Sequence, residues 1–452
     1  MSHIISRLLL RYNLLMDRTY IKDLKENLGK QVNIKGFAET IRKQGGIIFL
    51  VLRDITGSIQ TVVIKGNTEN FEKIANLSLE SVISITGDAK ENSQAPGGIE
   101  VFIDTVEVLS AAQPELPIPV NEKGEGETNL DTRLDWRYLD LRKEENVLIF
   151  KVWTTLEQAF INYCIENNFI QIHSPKTVIT STESGSELFE INYFDQKAYL
   201  AQSPQFYKQM AMAAGLEKVF EIGPVFRANP SFTSRHDTEF TMYDIEMAYV
   251  ESVHDLLAEE EKMMVAILTA IKEKHGEDIK KIFDQEVTIP TVPFPRISFI
   301  EAKKVLAELK VFNEKKDDLN PEEERAIAQY FKDKENHDFV FVYEYPASGR
   351  AFYSMRDEKD PTISKSFDLL YKGLEITSGA QREHRFDVLK KQIEEKGFDL
   401  KAFEGYLNFF KYGCPPHGGF APGPSRFLMK ILGLTNVREV TYVYRGVKRL
   451  TP

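Results

Sequence analysis

Arginines in three separate segments suggest chemistry on a polyanion. In KVFEIGPVFRANPSFTSRHDTEFTMYDIEMAYV, residues 218–250, two strand-like runs flank a polar loop. Arg227 ends the first run, Arg235 and His236 sit in the loop, and Phe240 lies early on the second. Arginine forks bind phosphate through paired hydrogen bonds, and an aromatic face can stack on adenine. On this segment alone, a β-hairpin with surface arginines reads equally well. In SFDLLYKGLEITSGAQREHR, residues 366–385, a hairpin turning at Lys372-Gly373 sets Leu370 opposite Glu375. Asp368 then shares a face with Glu375, and such diagonal neighbours lie ~7–8 Å apart. Two carboxylates, with the Ser378 hydroxyl, suit Mg²⁺, which takes one or two carboxylates plus substrate phosphates. Arg382 follows Gly379, whose missing side chain allows a ligand to approach closely. In YGCPPHGGFAPGPSRFLMKIL, residues 412–432, a Gly-Pro turn leads into an apolar helix with Arg426 in its first turn, an arrangement that favours an anion. Residues 182–210 add Gln205 and Lys208, although Lys208 by itself reads equally as a surface lysine.

Positioning these groups takes a scaffold, and the rest of the chain supplies its outline. Residues 31–64 hold three short alternating strands, QVNIKGFAET, GGIIFLVLRD and GSIQTVVIKG. A helix-like stretch and two more strands follow, SVISITGDAK and GIEVFIDTVEVL. Five strands with a helix between the third and fourth is the pattern of an OB barrel, and other small barrels share the strand count. AAQPELPIPVNEKGEGETNL, residues 111–130, is a linker. Val147, Phe150, Leu156, Phe160 and Tyr163 recur at roughly helical spacing. A strand stopped by Pro175 follows. Residues 251–340 read as a charge-rich helical insertion, with KEKHGEDIKK and NPEEERAIAQYFKDKENHD as solvated faces. The organisation expected is an extension over 1–16, a barrel over 17–112, a hinge over 113–145 and a catalytic domain over 146–452. The fold class is α+β.

A chain of 452 residues is long enough for two or three domains. No run of 18 or more apolar residues crosses a membrane. Two cysteines, Cys164 and Cys414, make neither a zinc site nor a disulfide framework, and they fit a reducing, cytoplasmic compartment. The net charge of −11 neither supports nor excludes nucleic acid, since 57 Lys and Arg can still line one face. MSHIISRLLLRYNLLM lacks acids and could serve as an organelle presequence; its shortness and poverty in serine favour a plain extension ahead of a body starting at Met16.

No G-x-x-x-x-G-K-[ST] is present, which excludes a P-loop enzyme, and neither HIGH nor KMSKS occurs. The arginine segments stand in the order of the class II aminoacyl-tRNA synthetases. FEIGPVFRA…SRHDTEF resembles their motif 2, GFAPGPSRFLMKIL resembles motif 3, and the helix and strand ending at Pro175 resemble motif 1. The N-terminal barrel resembles that of the Asp, Asn and Lys subgroup. QSPQFYKQ, GLEITSGAQREH and the terminal RLTP are similar to aspartyl-tRNA synthetases of the archaeal and eukaryotic type. The resemblance covers nearly everything after Met16, and five motifs in order make it specific.

The resemblance implies a catalytic domain on an antiparallel sheet flanked by helices, and an aspartate–tRNA ligase activity. Arg227 would hold the α-phosphate and the substrate carboxylate. Arg235, His236 and Arg426 would hold the triphosphate tail, and Phe240 would stack on adenine. Ala228, Asn229, Asp237, Gly423, Pro424 and Ser425 would complete the ATP site. Asp368, Glu375 and Ser378 would bind Mg²⁺. Lys208 and Arg382 would pair with the aspartate side chain, with Glu183 and Gln205 receiving its ammonium group. Pro175 would sit at a homodimer interface, and Phe49, Gln60 and Glu100 match anticodon-reading positions. Partners would be ATP, L-aspartate and tRNA(Asp). APGG at 95–98 resembles the loop of non-discriminating members, which also charge tRNA(Asn). Three departures stand out. Asn229 replaces a glutamate, motif 3 lacks its acid at Ser425, and Phe37 replaces a tryptophan. The rival readings are an asparaginyl enzyme, against which Lys208 and Arg382 argue, and a non-catalytic tRNA-binding paralogue, against which Arg227, Arg426, Asp368 and Glu375 argue. Aspartate–ammonia ligase shares the catalytic fold but would not need the barrel.

Overall fold

The computed structural model describes residues 17–121, 128–180, 187–230, 233–312 and 315–452. The extension over 1–16 and Glu183 lie outside them. The chain divides into two units, 1–119 and 120–452.

In the first unit, alternation decides the architecture. Strands β1 (Gln31–Gln44), β2 (Ile47–Asp54) and β3 (Gly57–Ile64), helix α1 (Thr68–Ala75), and strands β4 (Val82–Glu91) and β5 (Ile99–Ser110) follow in sequence. The strands close into a barrel in the order β1-β2-β3-β5-β4, the OB arrangement expected. Ile48, Leu50 and Leu52 of β2 point inward with Ile34, Ile83, Ile85 and Val101. Each such buried aliphatic side chain contributes about 1.5–3 kcal/mol.

The second unit contains helix α2 (Glu144–Glu166), strand β6 (Ile170–Gln171), a small sheet of β7 (Thr177–Val178), β8 (Glu190–Tyr193) and β9 (Gln196–Leu200), and helix α3 (Gln205–Ala213). Then come β10 (Lys218–Phe226), β11 (Glu239–Ala248), α4 (Val253–Phe283), β12 (Arg296–Ser298), α5 (Phe299–Glu308), α6 (Pro321–Glu335) and β13 (Phe339–Tyr343). Strands β14 (Ser366–Tyr371) and β15 (Leu374–Arg382), helix α7 (Glu404–Lys411), strand β16 (His417–Pro422) and helix α8 (Pro424–Ile431) follow. Eight strands form one largely antiparallel sheet in the order β12-β13-β14-β15-β16-β11-β10-β6. FVFVY in β13 shows how the sheet buries two faces. Phe339 and Phe341 join the core under α2 and α4, whereas Val340 and Val342 pack with α5 and α6.

Two expectations need correction here. The helical region over 251–340 is not a solvated insertion throughout. α4 opens on a Ser252/Asp255 capping box and lays Leu256, Leu257, Met263, Met264, Ile267, Leu268 and Ile271 into the main core. Three of its acids, Glu259, Glu260 and Glu261, are buried as well. Glu259 receives the Tyr163 hydroxyl at 2.9 Å, and Glu261 pairs with Arg296 at 2.8 Å. Burial pushes the Glu260 carboxyl up to about 8. On α2, the core stripe includes Leu148, Ile149 and Val152 beside Leu156, Phe160 and Tyr163, while Val147 and Phe150 are only half-buried. The stretch 129–143, placed in the hinge from sequence, carries two short helices, Leu130–Asp135 and Arg137–Asp140. Buried Arg137 donates to the carbonyls of Glu439, Thr441 and Tyr442 at 2.9, 2.8 and 3.2 Å.

Candidate active site

β11 presents Phe240, Met242 and Asp244 to a cavity of about 470 Å³, with Glu246 next along the same face. The intervening Tyr243 and Ile245 enter the core. β15 adds Ser378, Ala380 and Arg382 to the cavity. Regular alternation would turn Glu375 away from that face, because it lies three residues from Ser378. A β-bulge prevents this: Asp368 pairs with Ser378 and Leu369 with Thr377, yet Leu370 pairs with Glu375, leaving Ile376 extra. The expected Leu370–Glu375 pairing is therefore present, and the bulge puts Glu375 and Ser378 on one side. The turn at Lys372-Gly373 has both residues at positive φ, 47° and 76°, the geometry of a two-residue type I′ turn. Gly379 plays a different part from the one expected. It lines the cavity, but a Cβ there would strike the Phe367 ring and Phe420, so packing beneath the strand requires the glycine.

One end of the cavity is a buried charge network. Lys208 Nζ lies 2.8 Å from Asp244 and 3.4 Å from Glu246. Arg382 donates Nε to Glu246 at 3.1 Å and Nη2 to the Gly419 carbonyl at 3.0 Å, with Tyr353 facing its guanidinium at 5.4 Å. All four charged groups are at most 5% exposed. Burial pushes the Glu246 carboxyl up, but Arg382 and Lys208 outweigh it and hold it below its ordinary value. For Asp244 burial prevails over Lys208, and its carboxyl is raised. A Cβ at Gly419 would collide with the Glu246 carboxylate, so the glycine makes room for it. Behind α3, His417 Nδ1 meets the Pro415 carbonyl at 2.8 Å, which assigns the proton to Nδ1. Nε2 then accepts from Gln209 at 3.0 Å, and the Gln209 oxygen receives the Tyr406 hydroxyl of α7 at 3.0 Å. Burial lowers the His417 imidazole to about 4, so the ring stays neutral.

The other end is built on loops. The Arg227 guanidinium faces the Phe240 ring at 5.5 Å, and its buried Nε has no hydrogen-bond partner among the described residues. Arg235 grips Glu324 of α6 at 2.9 and 3.0 Å, and the same carboxylate accepts the Glu375 N–H at 3.1 Å. Arg426, in the first turn of α8, donates to the Glu375 carbonyl at 3.1 Å and the Arg235 carbonyl at 3.3 Å, with the Glu375 carboxylate at 3.4 Å. Pro424 is the first residue of α8, where its missing N–H costs nothing, and the Gly423 N–H reaches the Ile376 carbonyl at 2.8 Å. His236 lies 2.6 Å from the Thr233 hydroxyl. Burial and the neighbouring Arg426, Arg235 and Arg227 lower its imidazole to about 4, so at neutral pH it offers a hydrogen bond and no charge. Burial pushes Asp237 up to about 7 against the pull of Arg426. The Ala228 N–H is held by the Glu187 carbonyl at 2.8 Å, and Asn229 lines the cavity.

On the barrel, Phe49, Gln60 and Glu100 share the outer face. Gln60 pairs with Glu100 across parallel β3 and β5, and their side chains hydrogen-bond at 3.1 Å. Phe49 is cross-strand to Val62, which pairs with Phe102. Lys90 sits over the Phe102 ring at 4.6 Å.

Residues 129–444 match the model for tRNA synthetases class II (D, K and N), and residues 32–109 match an OB-fold nucleic acid binding domain. The chain belongs to the class II aminoacyl-tRNA synthetases of this group. It is 43% identical to an aspartate–tRNA(Asp/Asn) ligase of Methanopyrus kandleri, over 94% of this chain and 97% of that one. It is 40% identical to an aspartate–tRNA(Asp) ligase of Pyrococcus abyssi, over 96% and 99%. A crystal structure of asparaginyl-tRNA synthetase from Pyrococcus horikoshii with asparaginyl-adenylate superimposes with a TM-score of 0.89 at 34% identity, over 97% of this chain and 100% of that one.

In this synthetase one cavity gathers Gln205, Lys208, Arg227, Asn229, Arg235, His236, Asp237, Phe240, Glu375, Ser378, Arg382, Gly423, Ser425 and Arg426. Asp368 does not line it but is held by Arg350 and pairs with Ser378, which do, and Pro175 lies exposed at the end of the motif 1 segment. Sequence reasoning missed Asp244 and Glu246, although two acids at i and i+2 inside an apolar strand are a readable sign of a polar buried face. It read Glu323 and Glu324 as solvated, whereas they are 1% and 3% exposed. The Asn320 capping box starts α6 and turns these first-turn acids toward Lys303 and Arg235. Arg350 was missed too. It lies in a loop without periodicity and grips Asp368 at 3.0 and 2.6 Å.

Proposed function

We propose that the protein is an aspartate–tRNA ligase: it activates L-aspartate with ATP to aspartyl-adenylate and transfers the aspartyl group to the 3′ end of tRNA(Asp). The observation that carries this reading is the buried network of Lys208, Arg382, Asp244 and Glu246 at one end of a class II cavity. Two cations fixed by protein carboxylates present donors in a set geometry. A side-chain carboxylate accepts from them. The asparagine amide would set its NH₂ against a cation and leave buried donors unpaired, which costs several-fold to orders of magnitude in discrimination.

The nucleophile is the substrate α-carboxylate, already ionised, so no general base is required. It attacks the α-phosphorus in line, and pyrophosphate leaves. Arg227 orients the reacting carboxylate and phosphate, while Arg235 and Arg426 hold the tail and neutralise charge as it develops. Neutral His236 donates or accepts a hydrogen bond there. In the second step the tRNA 3′-terminal hydroxyl attacks the adenylate carbonyl and AMP departs. Asp368, Glu375 and Ser378 offer hard oxygen donors on one face, as Mg²⁺ prefers. Bound there, Mg²⁺ would supply charge neutralisation of the phosphates.

The barrel would read the anticodon, with a splayed base stacked on Phe49. We include tRNA(Asn) in the range. The support is the APGG turn, where Gly97 and Gly98 adopt φ of 77° and 75°, and a relative named for both tRNAs. Activity as a homodimer through the Pro175 region, and a cytoplasmic location, complete the reading. No helix among the described residues is long and apolar enough to cross a membrane. Asparagine activation is the second reading, favoured by the likeness to the asparaginyl enzyme. Charging purified tRNA(Asp) and tRNA(Asn) side by side, with aspartate and with asparagine, tests all of this. Aspartyl transfer to both tRNAs is expected. Asparagine-driven ATP–pyrophosphate exchange without an aspartate response would overturn the assignment, and charging of tRNA(Asp) alone would overturn the dual range.

A further inference from the structure

We propose that Arg350 is a resident counter-cation for the metal ligands Asp368 and Ser378, so that a divalent cation enters this site together with a nucleotide and binds poorly without one. The inference rests on the metal reading of Asp368 given above. Arg350 follows the turn Ala347–Gly349, outside every motif of the family resemblance. It donates Nη1 and Nη2 to the two Asp368 oxygens at 3.0 and 2.6 Å, and Nη1 also reaches Ser378 Oγ at 3.3 Å. Those are the oxygens a divalent cation would take. A guanidinium and a metal ion compete for the same lone pairs and repel one another, so one displaces the other.

The guanidinium is firmly placed. It lies 3.7 Å over the ring of Tyr345, which is 1% exposed. Lys396 Nζ fastens the preceding turn through the Ser348 carbonyl at 2.8 Å. A Cβ on Gly349 would stand 2.6 Å from the Asp317 carbonyl oxygen, so the turn is packed closely on that side too. Asp368 is only 5% exposed. A carboxylate so buried needs a cation beside it, and losing one partner of a buried pair leaves a costly uncompensated charge. A metal ion arriving alone must evict a bidentate guanidinium and then sit near Arg350 and Arg426, both of which it repels. A nucleotide changes the balance. Arg350 lines the cavity, so its displaced guanidinium meets the phosphates that accompany the metal and exchanges one anionic partner for another.

Mn²⁺ serves as the probe, with free Mn²⁺ measured by electron paramagnetic resonance against the full-length chain, with and without a non-hydrolysable ATP analogue, and binding by the protein taken as the fall in free Mn²⁺ beyond that caused by the same analogue alone. The unaltered protein is expected to leave Mn²⁺ largely free without the analogue and to bind it with the analogue present. Arg350→Gln is expected to bind Mn²⁺ without nucleotide at least about tenfold more tightly than the unaltered protein, because Asp368 then lacks its cation. Equal nucleotide-free affinity in a folded Arg350→Gln, checked by circular dichroism, overturns the proposal. Should that variant not fold, Arg350→Lys cannot span both Asp368 oxygens as a fork, and its nucleotide-free affinity is expected to rise in the same direction; no rise overturns the proposal. Asp368→Asn separates the two readings. If it binds Mn²⁺ with the analogue as tightly as the unaltered chain, the metal reading fails. If it loses that binding while the Arg350 variants match the unaltered protein, the metal reading stands and the role of Arg350 falls.

Discussion

The two ends of the cavity are made of different material. At the end proposed for the amino acid, Lys208, Asp244, Glu246 and Arg382 sit on α3, β11 and β15, almost wholly buried, and neutralise one another within the protein. At the end proposed for the nucleotide, Arg227, Arg235 and Arg426 are only partly buried and stand at strand ends, in loops and in the first turn of a helix. Groups on regular elements hold their geometry more tightly than groups on loops. The end proposed for the amino acid would therefore choose by the directions of fixed donors, since its two cations and two carboxylates balance. The end proposed for the nucleotide pairs Arg235 with Glu324 and Arg426 with Glu375 on less buried ground, where it would adjust to a flexible triphosphate. The departures at Asn229 and Ser425 both fall in this second half.

The comparison breaks first at Arg382. Arg382→Ala leaves Glu246 buried without its main partner, and kcat/KM for aspartate in ATP–pyrophosphate exchange should fall by about a thousandfold. ATP affinity by equilibrium binding should stay within about twofold, and an equal loss of both would show that the ends are not separable. Arg235→Ala should give the opposite pattern, a rise of about tenfold or more in KM for ATP from the lost charged hydrogen bonds, with KM for aspartate unmoved. Asp237 sharpens the electrostatic side. Its carboxyl is raised from 3.8 to about 7 by burial. Between those values the unfolded chain is ionised while the folded chain keeps the proton, so stability falls as pH rises from about 4 to about 7. Above that range a new negative charge stands beside Arg426, and ATP binding should weaken by roughly three- to tenfold between pH 6 and 8.5. Asp237→Asn should abolish that part of the profile, leaving the titration of ATP itself. The smallest effect is expected from Tyr406→Phe, which removes one neutral hydrogen bond behind α3. A melting shift equivalent to about 0.5–1.5 kcal/mol, with a modest rise in KM for aspartate alone, would place the Tyr406–Gln209–His417 chain in support of the amino-acid end.

Much of this was legible in the sequence where a residue type and a local period agreed. Five alternating runs with a helix after the third pointed to an OB barrel without excluding other small barrels, and the Lys372-Gly373 turn followed from its dipeptide. Lys208 and Arg382 were found, but their carboxylate partners were not, because a pairing between α3 and β11 has no local signature. Glu375 reached the right face through a bulge that strict alternation does not foresee. The acids of α4 and α6 were misjudged for a common reason. Charge in a helix reads as solvent-facing until a tertiary partner such as Tyr163, Arg296, Lys303 or Arg235 is known.

Glu324 ties the motif 2 loop and the β14–β15 hairpin to α6 through a single carboxylate, which holds Arg235 with both oxygens and the Glu375 backbone with one of them. The segment between β12 and β13 is thus no detachable cassette. An exchange of this region between related enzymes would carry along the alignment of two distant stretches of chain, and its success would turn on whether the incoming helix brings an acid to that one place.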